Sequence, residues 1–342
     1  MSDRCEGYSR REFVSGLTLA GTGALISGVA RPATAEPPPE TTRIRLEWAG
    51  GTCQAPKYVA DELLRGEGFT DLQYVNREAK NLTSRRLKAL SSGETDFDLQ
   101  FVPDLVIEID KANPIVILAG QHLGCFELFA GRDVRAVRDL KHKTIAVREL
   151  GATEHLFLSV ILSYVGLDPA KDIRWVTVPF PEAVRLLAEE KIDAVLGFPP
   201  LPQELRAKKV GRVVLNSTTD RPWSQYFCCM VVGNRHFVQR YPIATKRVVR
   251  GLMKANEVCA LTPDRSARLL VGKGDTTSYE YAIQTMKEIP YGKWGAYDPA
   301  DTLRFYALRL HETGIIRSSP QKILAQGTDW RFLTELKKEL KG

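Results

Sequence analysis

The 342 residues contain no Gly-x-Ser-x-Gly elbow, no His-Glu-x-x-His and no Cys-x-x-Cys pair. The usual signatures of serine hydrolases, zinc peptidases and dithiol redox enzymes are therefore missing. The stretch Val271-Gly272-Lys273-Gly274-Asp275-Thr276 lacks the earlier glycine and the Lys-Ser/Thr step of a phosphate loop, and reads as a turn between helices. No pattern for haem, iron–sulfur or molybdenum ligation is present, so no cofactor, metal site or catalytic residue is expected. There is no basic stripe either. The formal charge of +7 is spread over mixed-sign segments such as residues 335–341, which reads as solvated surface and excludes a nucleic-acid partner. Beyond residues 14–30 no apolar run is long enough to span a bilayer.

That early run is preceded by Arg10-Arg11-Glu12-Phe13, is diluted by Gly16, Gly21, Gly23 and Gly28, and is followed by Ala33-Thr34-Ala35. Charged, apolar, then small-x-small is the grammar of a secretory signal. The paired arginines resemble the twin-arginine type, with the Tat translocase as partner during export and cleavage expected after Ala35. Cleavage leaves 307 residues of charge +6, long enough for two domains with their own cores. Five cysteines remain: Cys53, Cys125, Cys228, Cys229 and Cys259. Their irregular spacing points to buried thiols rather than a disulfide scaffold. Cys228 and Cys229 adjoin on an expected strand, which predicts opposite faces for their side chains.

After a Pro-rich linker at 36–42, one pattern occurs twice. Strands are expected at 44–48, 72–75 and 97–101, with helices at 54–64 and 83–90; strands recur at 144–147, 173–178 and 194–198, with helices at 153–165 and 182–190. The interval from Ile44 to Leu72 and that from Ile145 to Ile173 are both 28 residues, and a helix–turn–Asp–strand junction ends each unit, at Asp96 and Asp193. Two βαβαβ units imply two mainly parallel sheets flanked by helices, hence two α/β lobes. The expected division is lobe 1 at 43–131, lobe 2 at 132–227, and a helical return to lobe 1 at 228–342, with crossovers near 131–138 and 226–231 acting as a hinge.

The run Val137-Arg138-Asp139-Leu140-Lys141-His142-Lys143-Thr144-Ile145-Ala146-Val147, with Gly151-Ala152-Thr153 and Val165-Gly166-Leu167-Asp168-Pro169 after it, resembles the second lobe of the nitrate/sulfonate/taurine-type substrate-binding proteins. That family also includes thiamine-pyrimidine synthases. The resemblance implies a type II periplasmic binding protein fold. It further implies a monomeric, exported periplasmic receptor with a ligand cleft between its lobes, which hands a small-molecule solute to an ABC transporter permease and meets the membrane only there. Glu149 and Glu154 flank a turn where the family commonly has Gly-Ser-Thr, which disfavours a hard inorganic anion.

Ligands of open α/β sheets sit beyond the carboxyl ends of the strands. The first-lobe turn there is Gly50, Gly51, Thr52, Cys53 and Gln54; the second-lobe turn is Gly151, Ala152 and Thr153. Glycine admits close backbone approach, and the following helix N-terminus offers N–H groups. Thr52 and Thr153 read equally as caps and as ligand hydroxyls. Neighbouring loops add Gln121 and His122, the histidine reading either as a partner for ligand acceptors or as a satisfied structural residue, and the aromatics Phe101, Phe198, Trp223 and Tyr226, which read either as strand-end core or as walls for an organic, planar or sulfonate- or carboxylate-bearing solute. Glu127, Glu149 and Glu154 keep an exported enzyme on the same scaffold open as an alternative, beside a sensor that serves no transporter.

Overall fold

The computed structural model describes residues 36–75, 83–274, 276 and 278–339. The export signal expected at 1–35 lies outside them. The first unit runs β1 (Arg43–Glu47), α1 (Ala55–Gly66), β2 (Asp71–Val75), α2 (Thr83–Ser92) and β3 (Phe97–Phe101), then adds α3 (Val102–Asp110) and β4 (Ile115–Leu123). The second begins with β5 (Glu127–Ala130) and continues through β6 (Thr144–Val147), α4 (Thr153–Tyr164), β7 (Arg174–Thr177), α5 (Phe180–Ala188), β8 (Ala194–Gly197), α6 (Leu201–Lys208) and β9 (Arg212–Asn216). The chain then returns through β10 (Phe227–Asn234) into helices α7 (Arg235–Arg240), α8 (Pro242–Leu261), α9 (Pro263–Lys273), α10 (Tyr279–Glu288), α11 (Pro299–Glu312), α12 (Pro320–Gly327) and α13 (Arg331–Glu339).

Both sheets follow one plan, with orders β2-β1-β3-β10-β4 and β7-β6-β8-β5-β9. In each, three strands of the repeat are parallel and one strand, β10 or β5, is antiparallel to both neighbours. The reversed strand is the one entered directly from the other lobe. In the first sheet Ile44 pairs with Leu72. In the second, Ile145 pairs with Trp175, two residues past Ile173, a slip that leaves the same faces inward. The repeated junction has one job in both lobes. Asp96 accepts the Arg45 N–H at 2.7 Å and Asp193 accepts that of Thr144 at 2.7 Å, each tying the third strand to the first.

The crossovers differ from the expected ones. Because β5 belongs to the second sheet, the chain leaves lobe 1 at 124–126, not 131–138, and returns over 217–226. The two segments touch. The Ser217 hydroxyl accepts the N–H groups of Cys125 (3.0 Å) and Phe126 (2.8 Å), and the Ser217 N–H donates back to the Phe126 carbonyl at 2.9 Å. Gly124, at φ +44°, passes so close that a Cβ would lie 2.5 Å from the Ser217 carbonyl oxygen, which only glycine permits.

Helix α8 packs on α1, α9 joins them, and α11 and α12 cover α3, so the returning helices enclose the first sheet. β4 and β10 are buried along their whole length. The main core runs from this sheet into α4 of lobe 2, while a smaller one, including Phe129, Val195 and Leu205, lies under α5 and α6. Among the described residues no helix is long and apolar enough to cross a membrane.

Candidate functional site

The first glycine turn and the start of α4 border one cleft. Gly50, Cys53 and Gln54 of the first line it with Arg86, Gln100 and Phe101; Arg148, Thr153 and Phe198 come from lobe 2, and Cys125, Phe126 and Cys229 form the floor beside the crossovers. The lobes meet across it. The Thr52 N–H donates to the Pro199 carbonyl at 3.2 Å, and Gly51, at φ +115°, lies where a Cβ would be 3.2 Å from the Phe198 ring. Thr153 Oγ1 donates to Asp104 Oδ2 at 2.7 Å and lies 2.9 Å from Thr83 Oγ1. At the rim Glu288 takes Gln203 Nε2 at 2.9 Å and Arg206 Nη2 at 2.7 Å.

Two arginines dominate the polar lining. Arg148, directly after β6, gives Nε and Nη2 to the buried Glu154 at 2.9 and 2.8 Å and lies over the rings of Phe180 and Phe198. Arg86, on α2, gives Nη2 to both oxygens of buried Asp98 at 2.9 Å, while its buried Nε has no hydrogen-bond partner. The buried Gln54 Oε1 is also unpartnered. Two residues of the cleft lining thus each carry a buried polar atom without a hydrogen-bond partner, beside aromatic walls.

Asp104 is an acid held in its neutral range. Burial raises its carboxyl to about 7, helped by the charge of Glu154 and opposed by the Thr153 hydrogen bond and by Arg86. An unfolded aspartate titrates near about 3.9. The protonated form therefore favours the folded state, with a contribution complete below about pH 4 and lost as pH rises through 7. Denaturant midpoints should fall across that window, and Asp104→Asn should flatten the fall; an unchanged slope would remove Asp104 as its source.

The floor is rich in thiols. Cys53, Cys125, Cys228, Cys229 and Cys259 are all buried and none is in a disulfide. Cys228 and Cys229 do not point to opposite faces as alternation predicts. Irregular pairing of β10 with β4 around Cys229 brings their sulfurs to 3.9 Å, and Cys125 Sγ lies 3.2 Å from Cys228 Sγ. The contact with Cys228 and the charge of His122 pull the Cys229 thiol well down despite burial, and Cys229 in turn raises His122 against its burial.

Of the residues expected at the site, Gly50, Cys53, Gln54, Phe101, Thr153 and Phe198 line this cleft, and Gly51 lines an adjoining pocket with Phe180 and Phe198. The others do other work. Thr52 Oγ1 is buried against Thr285 Oγ1 at 3.0 Å; Gln121 bonds Asn256; His122 sits behind the floor among the cysteines. Gly151 and Ala152 shape the start of α4, the Gly151 N–H donating to His155 Nδ1 at 3.1 Å. Trp223 and Tyr226 pack on α11, Tyr226 stacked on Phe305 with ring centroids 4.0 Å apart, because the return crossover runs under that helix. Glu127 and Glu154 are each bound to their own arginine, Arg206 and Arg148, and do not form an acid–base pair. Sequence reasoning missed Arg86, Gln100, Cys125 and Arg148. Only Arg148 carries a local signal, its place at the carboxyl end of a strand.

Residues 37–271 match the sequence profile described as the NMT1-like family. The nitrate/nitrite binding protein NrtA of Nostoc sp. is 25% identical over 281 residues, 72% of this chain and 62% of that protein, so the chain spans less than two thirds of that relative's length. The crystal structure of the periplasmic nitrate-binding protein NrtA from Synechocystis superposes with a TM-score of 0.71 at 16% identity, covering 89% of this chain and 90% of that one. The alkanesulfonate-binding protein SsuA from Xanthomonas axonopodis bound to MOPS gives 0.67 at 15% identity, over 85% and 99%. These likenesses establish the two-lobed binding-protein fold.

Proposed function

The chain belongs to the NMT1-like family, and from that premise we propose that it is the solute-binding component of an ABC importer. It is exported to the periplasm and, as a monomer, closes on a small organic anion and presents it to a membrane permease. The observation that carries this reading is the cleft itself, in which Arg86 and Arg148 come from opposite lobes beside the aromatic rings of Phe101, Phe126 and Phe198. A carboxylate or sulfonate head suits the guanidinium groups and the start of α4, while an attached hydroxyl, amide or ring N–H would answer Gln54 Oε1. The relatives' anion chemistry supports the head group; the apolar walls support an organic body.

Contacts such as Thr52 to Pro199 and Thr153 to Asp104 exist only while the lobes are together. A solute bridging the lobes would therefore favour the closed form by its differential affinity. A panel of alkanesulfonates, hydroxycarboxylates, pyrimidines, nitrate and bicarbonate should contain a ligand that raises Tm by about 5 °C at a hundredfold excess over Kd. The same ligand should reduce the radius of gyration in small-angle scattering. A solute that binds without compaction would refute the hinge mechanism.

A second reading, an enzyme on this scaffold, is favoured by one observation, the Cys229 sulfur on the cleft lining within 4.8 Å of a ring nitrogen of the buried His122. It requires turnover of a bound solute, lost in Cys229→Ser.

A further inference from the structure

The residues beneath the cleft do more than fill space. His122, at the end of β4, is fully buried, and its Nδ1 lies 3.2 Å from the Leu123 carbonyl and 3.0 Å from that of Gly124. Both partners only accept hydrogen bonds, so Nδ1 carries a proton and the ring is fixed with Nε2 directed elsewhere. Nε2 is buried and has no hydrogen-bond partner. A ring nitrogen of His122 belongs to each of two triads of possible ligand atoms, with Cys53 and Cys125 and with Cys228 and Cys229; within each triad the atoms lie no more than 4.8 Å apart.

We propose that His122 Nε2 and the surrounding cysteine sulfurs bind one thiophilic closed-shell cation, Zn²⁺ or Cu⁺, in the floor of the cleft. Soft thiolates with an imidazole suit these ions, and carboxylate-preferring Mg²⁺ or Ca²⁺ would find no oxygen ligand in either triad. A carbonyl holding the second ring nitrogen is the usual device for orienting a metal-binding histidine. A tetrahedral ion with Zn–S near about 2.3 Å sets its ligands about 3.8 Å apart, so within either triad a contraction of no more than about 1 Å brings the ligand atoms to that spacing.

All five residues come from lobe 1 and its crossovers: the turn after β1, the end of β4, the first crossover and the start of β10. Ion binding therefore does not need closure on a solute, and it stands or falls separately from the importer reading. Since Cys53, Cys125 and Cys229 also line the cleft, a bound ion would border the solute.

The test uses the whole chain, reduced, stripped of metal and kept under inert gas, without solute. Zn²⁺ and Cu⁺ are added separately against competing chelators, and the loaded protein is examined by X-ray absorption. The expected result is one ion per chain with sulfur near about 2.3 Å and, for zinc, nitrogen near about 2.0–2.1 Å. Cys229→Ser and Cys53→Ser should each weaken binding at least about 100-fold, as loss of a charged ligand implies. Cys259→Ser, which alters the thiol outside both triads, should not. The absorption measurement on unaltered protein keeps the test valid if a serine variant fails to fold. An oxygen-only shell, absence of one-to-one binding, or rapid alkylation of Cys229 unaffected by either ion would overturn the proposal.

Discussion

Replacing Asp98 by alanine should lower stability by about 3–5 kcal/mol, more than any single change to its two cationic partners. Asp98 is on β3, buried, and one oxygen takes Lys57 Nζ at 2.5 Å while Arg86 Nη2 reaches both at 2.9 Å. It also accepts the Leu99 N–H at 2.8 Å and Gln100 Nε2 at 2.8 Å. Burial alone would raise its carboxyl, but Arg86 and Lys57 reverse this and hold it below the usual carboxylate range. Asp98→Ala leaves two cations in the interior with no shared anion. Lys57→Met leaves Asp98 with Arg86, and is expected to cost less. Urea midpoints of the two variants measure the ranking, and the reverse order would show that Lys57, not Asp98, is the centre of the network. The sign of the pH effect is fixed. A depressed carboxylate stabilises above its unfolded value of about 3.9 and loses that contribution as pH falls through its lower folded value. Asp98→Ala should also free Arg86 and so weaken solute binding.

The second large effect concerns Arg148. Arg148→Ala removes a lobe-2 cation from the cleft and should lower affinity for an organic anion on the order of 100-fold, the scale of about 2–3 kcal/mol for a charged hydrogen bond. It also strands Glu154, which is fully buried and receives three hydrogen bonds from Arg148, two from the guanidinium and one from the backbone N–H. A loss of stability is expected alongside. Glu154→Gln in the same chain should restore stability but not affinity, which separates the structural part from the binding part. Recovery of both by the double variant would place the solute away from Arg148.

Much of the frame was legible beforehand because hydrophobic periodicity and turn residues are local. The two βαβαβ units follow from runs such as Phe97–Phe101 and Thr144–Val147. The matching aspartates, Asp96 and Asp193, even marked the same interstrand hydrogen bond in each lobe. The crossover was misplaced because Glu127–Ala130 is a short strand whose neighbours, β8 and β9, both come later in the chain. Nothing within four residues tells which sheet they will join.

The site divides in the same way. A rule about strand ends, which operates within one turn of chain, points to Gly50, Cys53 and Gln54, and these three line the cleft. Trp223 and Tyr226 were assigned to the cleft by that rule and are covered by α11, an element more than seventy residues further on. Arg86 became a cleft residue only because Asp98 draws its guanidinium under β3. The thiol cluster is the fullest case. Four cysteines and a histidine drawn from residues 53 to 229 converge only when β10 inserts between β3 and β4.

From its order of residues alone, this protein was determined to be two α/β lobes with glycine turns at their strand ends, since strand, helix and turn preferences act over a few neighbours. Which side chains share a buried space was decided by the tertiary structure. Long-range strand pairing chooses those neighbours, and burial then decides which charges and thiols must be satisfied together.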